Sequence, residues 1–243
     1  HLSILIENMR REGYELAVSR PQVILKDVGG EKHEPFELLT VDVEERHQGA
    51  VMEKLGARKG DLLDMQSDGR GRVRFEYLIP ARGLIGFQTE FLTTTAGTGL
   101  MHHVFDHYGP MKKGEIKSRT NGVLVSNATG RSVAYALFGL QERGRLFIGP
   151  GEEVYEGMIV GIHSRDNDLV VNPLREKKLT NIRAAGSDEN ILLTPPIRLT
   201  LEQALEFIED DELVEVTPTA IRLRKRFLKE SDRRRAGREA AAS

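Results

Sequence analysis

Three histidines, His102, His103 and His107, come closest to a metal site by residue type and spacing. His103 and His107 would share one face of a helix, as pairs of zinc ligands often do. The glycine-rich residues before them and the alternation that follows instead predict a strand, in which residues four apart are separated by about 13 Å. No third ligand is evident. We therefore expect surface or hydrogen-bonded histidines and no metal site.

Catalytic motifs are missing from the sequence. A phosphate-binding loop of the form GxxxxGK[ST] uses glycine amides to approach phosphate and a lysine to reach it, but the chain has no Gly-Lys pair. The segment 127–131 (NATGR) resembles such a loop superficially and is better interpreted as a turn. The GxSxG elbow of serine hydrolases is also missing, and the adjacent Asp210 and Asp211 indicate a solvated turn after a helix. We therefore expect neither catalytic residues nor a bound cofactor in this chain.

Positive charge is concentrated near the carboxyl terminus, although the whole chain has a net charge of −2. Residues 218–243 contain nine Lys and Arg against three Asp and Glu, which makes this segment +6 and the remainder −8. A basic tail can bind nucleic acid by neutralising phosphates. A solvated helix end is the alternative, and charge alone favours it. The candidate RNA contacts in this segment are Arg224, Lys225 and Arg226.

A second group of cations lies in a long polar connection, residues 173–190. Connections longer than about 12–15 residues without their own secondary structure are usually functional or disordered. The cations are spaced along a weakly hydrophobic stretch that also carries small and amide side chains, which suits contact with an RNA backbone over base reading. A solvated loop is the alternative. The candidate RNA contacts here are Arg175, Lys177, Lys178 and Arg183.

One further cation, Arg82, stands beside Gly83 and Gly86 where a helix is predicted to begin. Glycines at this position would permit close approach of an RNA backbone to the helix amino terminus. Tight packing of the helix on a sheet explains the same glycines equally well. The residues alone leave both interpretations open.

The elements that position these residues begin with a repeated strand–helix–strand pattern. Alternating apolar residues predict strands, and apolar residues three and four apart predict helices. The predicted strands are residues 36–44, 61–67, 71–80 and 99–106, and the predicted helices are residues 47–58 and 82–95. Asp68-Gly69 predicts a type I′ hairpin turn, in which both central residues have positive φ. This order predicts a ferredoxin-like split βαβ domain at residues 35–110.

The segments on either side of this domain differ from it in pattern. Residues 1–34 predict a helix and one or two strands, which cannot bury their apolar faces alone. Residues 111–243 predict short strands with frequent glycine, arranged as a barrel or a compact mixed sheet, and a helix at 200–210 with Thr200 as its N-cap. The other predicted elements there are strands at 122–126, 132–138, 152–157, 158–164, 168–172, 213–216 and 220–223, and a basic helix or tail at 230–241. The fold class is therefore α+β, with a ferredoxin-like domain followed by a β-rich carboxyl-terminal domain with a few helices.

Composition places the chain among globular proteins. Its 243 residues are 39% hydrophobic and 30% charged, and none is cysteine. A chain without cysteine has no disulfides or thiolate metal sites, which suits a reducing cytoplasm. No apolar run approaches the roughly 20 residues of a membrane helix, and no signal pattern is visible. Because the chain begins at His1 and not at Met, we expect it to be part of a longer protein.

Beyond these patterns, long stretches of the sequence have a family resemblance. IPARGLIGFQTEF and TAGTGLMHHVFDHY resemble the fifth domain of elongation factor G-like translational GTPases, and most of all the BipA/TypA branch. LGARKGDL is similar to the same region. HLSILIENMRREGYELAVSRPQV and PPIRLTLEQALEFIEDDELVEVTPTAIRLRKR extend the resemblance across almost the whole chain, and the latter belongs to the carboxyl-terminal domain peculiar to this branch.

The resemblance implies the organisation and the partners of the protein. Residues 1–34 would be the end of the third domain, 35–110 the fifth-domain-like fold, and 111–243 the family-specific carboxyl-terminal domain. The family acts in stress adaptation and in large-subunit assembly, with GTP and Mg²⁺ held by an upstream domain that this chain lacks. The implied partner is the ribosome, including rRNA, A-site tRNA and the stalk base. Membranes and DNA are not expected, and the protein is expected to be monomeric and cytoplasmic.

An alternative interpretation is a small-ligand-sensing regulatory module, because ferredoxin-like domains also bind metabolites. Under the family interpretation, Arg82 would lie near ribosomal RNA, and the connection 173–190 would lie near the acceptor arm of an A-site tRNA. Co-sedimentation with ribosomes, set against a thermal-shift screen of amino acids and nucleotides, separates the two interpretations.

Overall fold

The computed structural model describes residues 2–114, 116, 119–176 and 192–241. Its helices are α1 (Leu2–Arg11), α2 (Gln48–Ala57), α3 (Ala81–Leu84), α4 (Phe87–Thr94), α5 (Ala134–Leu140), α6 (Leu201–Phe207) and α7 (Glu230–Ala241). Its strands are β1 (Leu16–Ser19), β2 (Lys26–Val28), β3 (Glu31–Glu44), β4 (Asp61–Ser67), β5 (Arg72–Pro80), β6 (Leu100–Pro110), β7 (Val123–Ser126), β8 (Gly130–Arg131), β9 (Gly144–Leu146), β10 (Glu153–Val154), β11 (Met158–His163), β12 (Leu169–Val171), β13 (Glu212–Val216) and β14 (Ile221–Lys225). No helix of the described residues combines the length and the apolar character that a membrane span requires.

The chain forms two compact units, which we describe separately. Pro21–Ser118 forms the ferredoxin-like unit, and His1–Arg20 with Arg119–Ser243 forms the mixed-sheet unit. The sequence predicts a separate segment at 1–34, whereas the structure divides the chain after residue 20. The reason lies in the pairing of the first strand, which joins the mixed sheet.

In the ferredoxin-like unit, β3 pairs with β6 on one side and with β5 on the other, and β5 pairs with β4. The order β6-β3-β5-β4, antiparallel throughout, is that of a ferredoxin-like sheet. The core of this unit consists of the alternating apolar residues of β3 and β5, packed against residues of α2 and α4. Its members are Leu39, Val41, Val43, Val51, Leu55, Val73, Phe75, Tyr77, Ile79, Phe87 and Phe91. Residues 73, 75, 77 and 79, which alternate along the strand predicted at 71–80, all lie in this core.

Two local predictions in this unit are wrong. The helix predicted at 82–95 is broken into α3 and α4, because Ile85 is extended and Gly86 has φ 72°. The hairpin between β4 and β5 is present, but its turn is not type I′. Positive φ occurs at Gly69 and Gly71 and not at Asp68, whose carboxylate accepts from the backbone amides of the residues in the turn.

The mixed-sheet unit contains a seven-stranded sheet in the order β1-β13-β14-β11-β7-β12, with β9 also paired to β11. Its pairs are antiparallel except that of β12 with β7, so the mixed-sheet alternative is the observed one. The strand predicted at 132–138 is wrong, since α5 occupies this region. Its buried residues, Ala136, Leu137 and Leu140, have the spacing of a helix face.

The amino-terminal residues complete this unit. β1 pairs with β13 along its whole length, and Ile6 of α1 is 2% exposed in the shared core. Leu2 and Leu5 of the same helix remain 51% and 56% exposed. The carboxyl-terminal residues thus bury part of the apolar surface of α1 and β1, which cannot fold alone.

Helix α6 begins as predicted. The Thr200 side chain accepts from the Gln203 amide, and the Gln203 side chain accepts from the Thr200 amide, which forms a capping box. The helix ends at Phe207, earlier than predicted, because Ile208 takes an extended ψ of 145°. Residues 209–211 and Glu212, the first residue of β13, therefore form a short acidic segment after α6, which we call the acidic loop.

Candidate nucleic-acid interface

The cations predicted to contact RNA occupy different environments. Arg175 and Arg226 are exposed, whereas Arg224 is half-buried and donates from Nη1 to the carbonyl of Lys225 at 3.3 Å. Three further candidates, Lys177, Lys178 and Arg183, lie outside the described residues. The predictions for these three positions therefore stay predictions.

Arg82 is occupied by contacts inside the ferredoxin-like unit. Its side chain is 16% exposed, and its Nε donates to Oε2 of the fully buried Glu34 at 2.6 Å. Its Nη2 and Nη1 donate to the carbonyls of Lys112 and Gly114 at 2.7 and 3.1 Å. The guanidinium of Arg82 therefore links α3 to β3 and to the residues after β6. It does not present a free cation to a phosphate.

The turn between α3 and α4 is held by a second arginine. Arg58, 3% exposed, donates from Nη1 to the carbonyls of Gly83 and Ile85 at 2.7 and 3.1 Å. A Cβ at Gly83 would lie 2.7 Å from the Arg58 carbonyl oxygen. Packing thus accounts for Gly83, and the positive φ of Gly86 accounts for the other glycine.

The same arginine is tied to α4 through Glu90. Its Nη2 donates to Oε2 of Glu90 at 2.8 Å, and Lys54 donates to the other carboxylate oxygen at 2.5 Å. Burial alone would raise the pKa of Glu90, but the hydrogen bonds from these two cations prevail and lower it. The turn is therefore fixed on both sides by charged hydrogen bonds.

Lys225 belongs to an internal ion cluster. Its side chain is 4% exposed, and its Nζ lies 2.6 Å from Asp168, 2.9 Å from Asp211 and 2.9 Å from Glu212. Burial would lower the pKa of Lys225, but the carboxylates, that of Glu212 first, outweigh burial and raise it. The ammonium is thus held in its charged form and enclosed by acids. The structure thus shows the ammonium bound to carboxylates, and the predicted contact of Lys225 with RNA stays a prediction.

The acidic loop 209–212 extends this cluster to the two points where the chain passes between units. Arg20, the last residue before the ferredoxin-like unit, donates to Glu209 at 3.1 Å. Arg119, the first residue after it, donates its backbone amide to the same carboxylate at 3.1 Å and makes a bidentate pair with Glu212, both at 2.9 Å. Burial would raise the pKa of Glu212, but Arg119 and Lys225 lower it. The acidic loop therefore binds both Arg20 and Arg119, the residues at which the chain leaves the mixed-sheet unit and returns to it.

The three histidines lie along β6, as predicted. The Nδ1 atom of His103 forms a hydrogen-bond contact with the Glu37 carboxylate. His107 lies 2.5 Å from Asp106 and stacks on Phe36 with ring centroids 5.4 Å apart. Within the described part of the chain, no group of three or more His, Cys, Asp or Glu side chains could hold a metal ion.

Sequence reasoning missed α5, the helix that contacts both described ends of the connection. The amide of Val133 donates to the carbonyl of Pro173, the first residue of the connection. Gln141 is hydrogen bonded to Leu192 and Thr194, just after the connection. Interpreting residues 132–138 as a strand hid this helix. The apolar run of this region is short, and such a run alone does not distinguish a strand from a buried helix.

Comparison with known proteins matches each region to a described family. Residues 31–119 match the carboxyl terminus of elongation factor G, and residues 121–230 match the TypA/BipA C-terminal domain. The chain is 66% identical, over 98% of its length, to the large ribosomal subunit assembly factor BipA of Escherichia coli K12. It is 65% identical to that of Haemophilus influenzae and 58% identical to that of Buchnera aphidicola, again over 98% of its length.

An elongation factor G-type carboxyl-terminal domain followed by the TypA/BipA carboxyl-terminal domain defines the class of the chain. The chain belongs to the BipA/TypA family. It spans 39% of the length of these curated relatives. A crystal structure from Thermus thermophilus matches 33% of this chain and 12% of its own, at 25% identity and a TM-score of 0.32, too low to inform the fold.

Proposed function

We propose that the chain is the ribosome-binding part of a translational GTPase that acts in large ribosomal subunit assembly and in stress adaptation. The observation that carries this proposal is 66% identity, over 98% of the chain, to relatives named large ribosomal subunit assembly factors. The partners would be rRNA, the A-site tRNA and the stalk base of the large subunit. The protein would act as a cytoplasmic monomer, away from membranes and DNA.

In this proposal the chain supplies binding geometry and the rest of the protein supplies hydrolysis. GTP and Mg²⁺ would bind an upstream domain, since the chain spans only 39% of the length of its relatives. The α3–α4 turn and the acidic loop, each fixed by an arginine, suit a rigid binding part, because charged hydrogen bonds of buried or part-buried side chains hold them.

The RNA-contacting cations in this proposal are those of the connection and its flank. Lys177, Lys178 and Arg183 would touch backbone phosphates near the acceptor arm of the tRNA. Arg175 is the exposed, described residue at the start of this series, and Arg226 is exposed after β14. Arg82 and Lys225 would act indirectly, by holding the local structure, since both are engaged by carboxylates.

Ribosome co-sedimentation across a salt series tests the proposal. Each neutralised phosphate steepens the dependence of log K on log salt by about 0.7–0.9. The double change Lys177→Ala and Lys178→Ala should weaken binding and flatten the slope by roughly one to two units. The matched control is the pair Arg11→Ala and Arg70→Ala, two exposed cations elsewhere, which should leave affinity and slope unchanged.

Two outcomes would contradict this account at different levels. If the unaltered chain does not sediment with ribosomes at low salt, the proposed function is wrong. If the chain sediments and the double variant keeps its fold, affinity and slope, the two lysines do not belong to the RNA interface.

A further inference from the structure

Helix α5 exposes two aromatic rings where a surface helix ordinarily has polar residues. Tyr135 is 45% exposed and Phe138 is 44% exposed, while Leu137 of the same helix is buried. Residues three apart lie side by side on a helix surface. Among the described residues, nothing lies within 4 Å of where a Cβ on the neighbouring Gly139 would stand. The surface beside the rings is therefore open.

The helix is fixed at both ends to the backbone that flanks residues 177–191. At its start, the Val133 amide donates to the Pro173 carbonyl at 3.0 Å. At its end, Gln141 donates from Nε2 to the Leu192 carbonyl at 3.1 Å and accepts from the Thr194 amide at 3.0 Å. The two rings therefore lie on the short helix that connects the described ends of the predicted RNA-contacting connection.

Arginines stand at both ends of the same helix. Arg143 follows its carboxyl end, and Arg175 follows the residues bound to its start; both are exposed. Neither guanidinium has an ion-pair or hydrogen-bond partner among the described residues. Arg131, 74% exposed, lies before the helix, 3.5 Å from Glu153. Glu142 is the opposing exposed charge beside Arg143.

We propose that Tyr135 and Phe138 form a stacking platform for unpaired RNA bases, with Arg143 and Arg175 contacting the flanking phosphates. Aromatic rings combined with unpaired cations are the usual means of binding single-stranded nucleic acid, because every base has a π-face and every nucleotide a phosphate. An apolar protein surface docked on these rings would leave both arginines without a binding partner. This inference rests on the proposed function and specifies that this surface binds single-stranded RNA.

The absence of tryptophan from the chain makes the platform directly observable. Phe138→Trp keeps an aromatic ring and introduces the sole tryptophan of the protein. We expect its fluorescence to be quenched on titration with an unstructured oligouridylate, because a stacked base contacts the indole. Tyr14→Trp, at a tyrosine 56% exposed in the same unit, is the matched control and should show no quenching.

Affinity measurements supply the second test. Tyr135→Ala and Phe138→Ala should each weaken binding of the chain to labelled oligouridylate by roughly 5- to 150-fold, the range of a lost base stack. Because the rings are uncharged, the slope of log K against log salt should stay the same. Arg143→Ala and Arg175→Ala should each flatten the slope by about 0.7. Alanine is the better helix former, so α5 should remain folded, which circular dichroism checks.

The outcomes separate this inference from the proposed function. A chain that does not sediment with ribosomes removes the proposed function and, with it, the basis of the inference. Ribosome binding with no quenching at Phe138→Trp and no loss in the alanine variants overturns the platform alone. A loss of ribosome binding with unchanged oligouridylate binding also overturns it, since the rings would then contact a ribosomal protein.

Discussion

At the scale of single residues, Phe75 is the clearest test of the ferredoxin-like core. Its side chain is fully buried, with its ring 6.2 Å from that of Tyr77. Phe75→Ala should lower the free energy of unfolding by about 3–5 kcal/mol, from lost transfer free energy and the cavity left behind. Denaturant unfolding followed by circular dichroism measures it. Phe105→Ala, at a phenylalanine 55% exposed in the same unit, should cost much less. A loss below about 1 kcal/mol at Phe75 would contradict the assigned strand face.

Phe75 and Lys225 differ in how far their environments can be predicted from the sequence. The burial of Phe75 follows from alternation along one strand, which is a local pattern. The environment of Lys225 depends on Asp168 and on the adjacent pair Asp211 and Glu212, which lie in two other parts of the chain. Charge counting places Lys225 in a basic tail, and only tertiary structure shows that acids enclose it.

At the scale of elements, the acidic loop between α6 and β13 should make stability depend on pH. Glu212→Gln removes a carboxylate that pairs with both Arg119 and Lys225, and breaking a buried pair costs about 3–5 kcal/mol. The pKa of Glu212 is lower in the folded protein than its ordinary 4.5. Its contribution is therefore fully present above about pH 4.5 and is lost as pH falls through the folded pKa.

Unfolding free energies of the unaltered chain and of Glu212→Gln, measured from pH 7 downwards, check this prediction. The gap between the two proteins should be constant near neutral pH and shrink in acid below about pH 4.5. Glu12→Gln, at an exposed glutamate of the same unit, should show no such gap. A gap that persists unchanged in acid would mean that the charge of Glu212 is not what stabilises the loop.

Elements were predictable where a pattern had one interpretation. The strand predicted at 71–80 follows from alternation and is observed as β5, and the start of α6 follows from the N-cap residue Thr200. The break between α3 and α4 was not predictable from periodicity, because apolar spacing continues across Gly86. The region of α5 is short and apolar, and such a run does not distinguish a strand from a buried helix.

At the scale of the whole molecule, local sequence patterns do not reveal how the chain divides into its two units. Residues 1–20 join a strand about two hundred positions further along the chain, since Leu16 pairs with Val216. Arg20 and Arg119, the two crossing residues, both bind Glu209. These contacts link distant parts of the chain, so local patterns do not encode them. The long family resemblance, in contrast, extends over both units and is visible in the sequence.

The chain as a whole should neither bind nor hydrolyse GTP. Binding of the β and γ phosphates in this class requires a glycine-rich loop with a lysine, and the chain has no Gly-Lys pair in any of its 243 residues. The nearest likeness, residues 127–131, contains a two-residue strand, β8, paired with β10. Isothermal titration calorimetry of the chain with GTP and Mg²⁺ should show no heat of binding, while a phosphate-loop GTPase run alongside should bind. Saturable micromolar binding would show that nucleotide recognition resides in this chain after all.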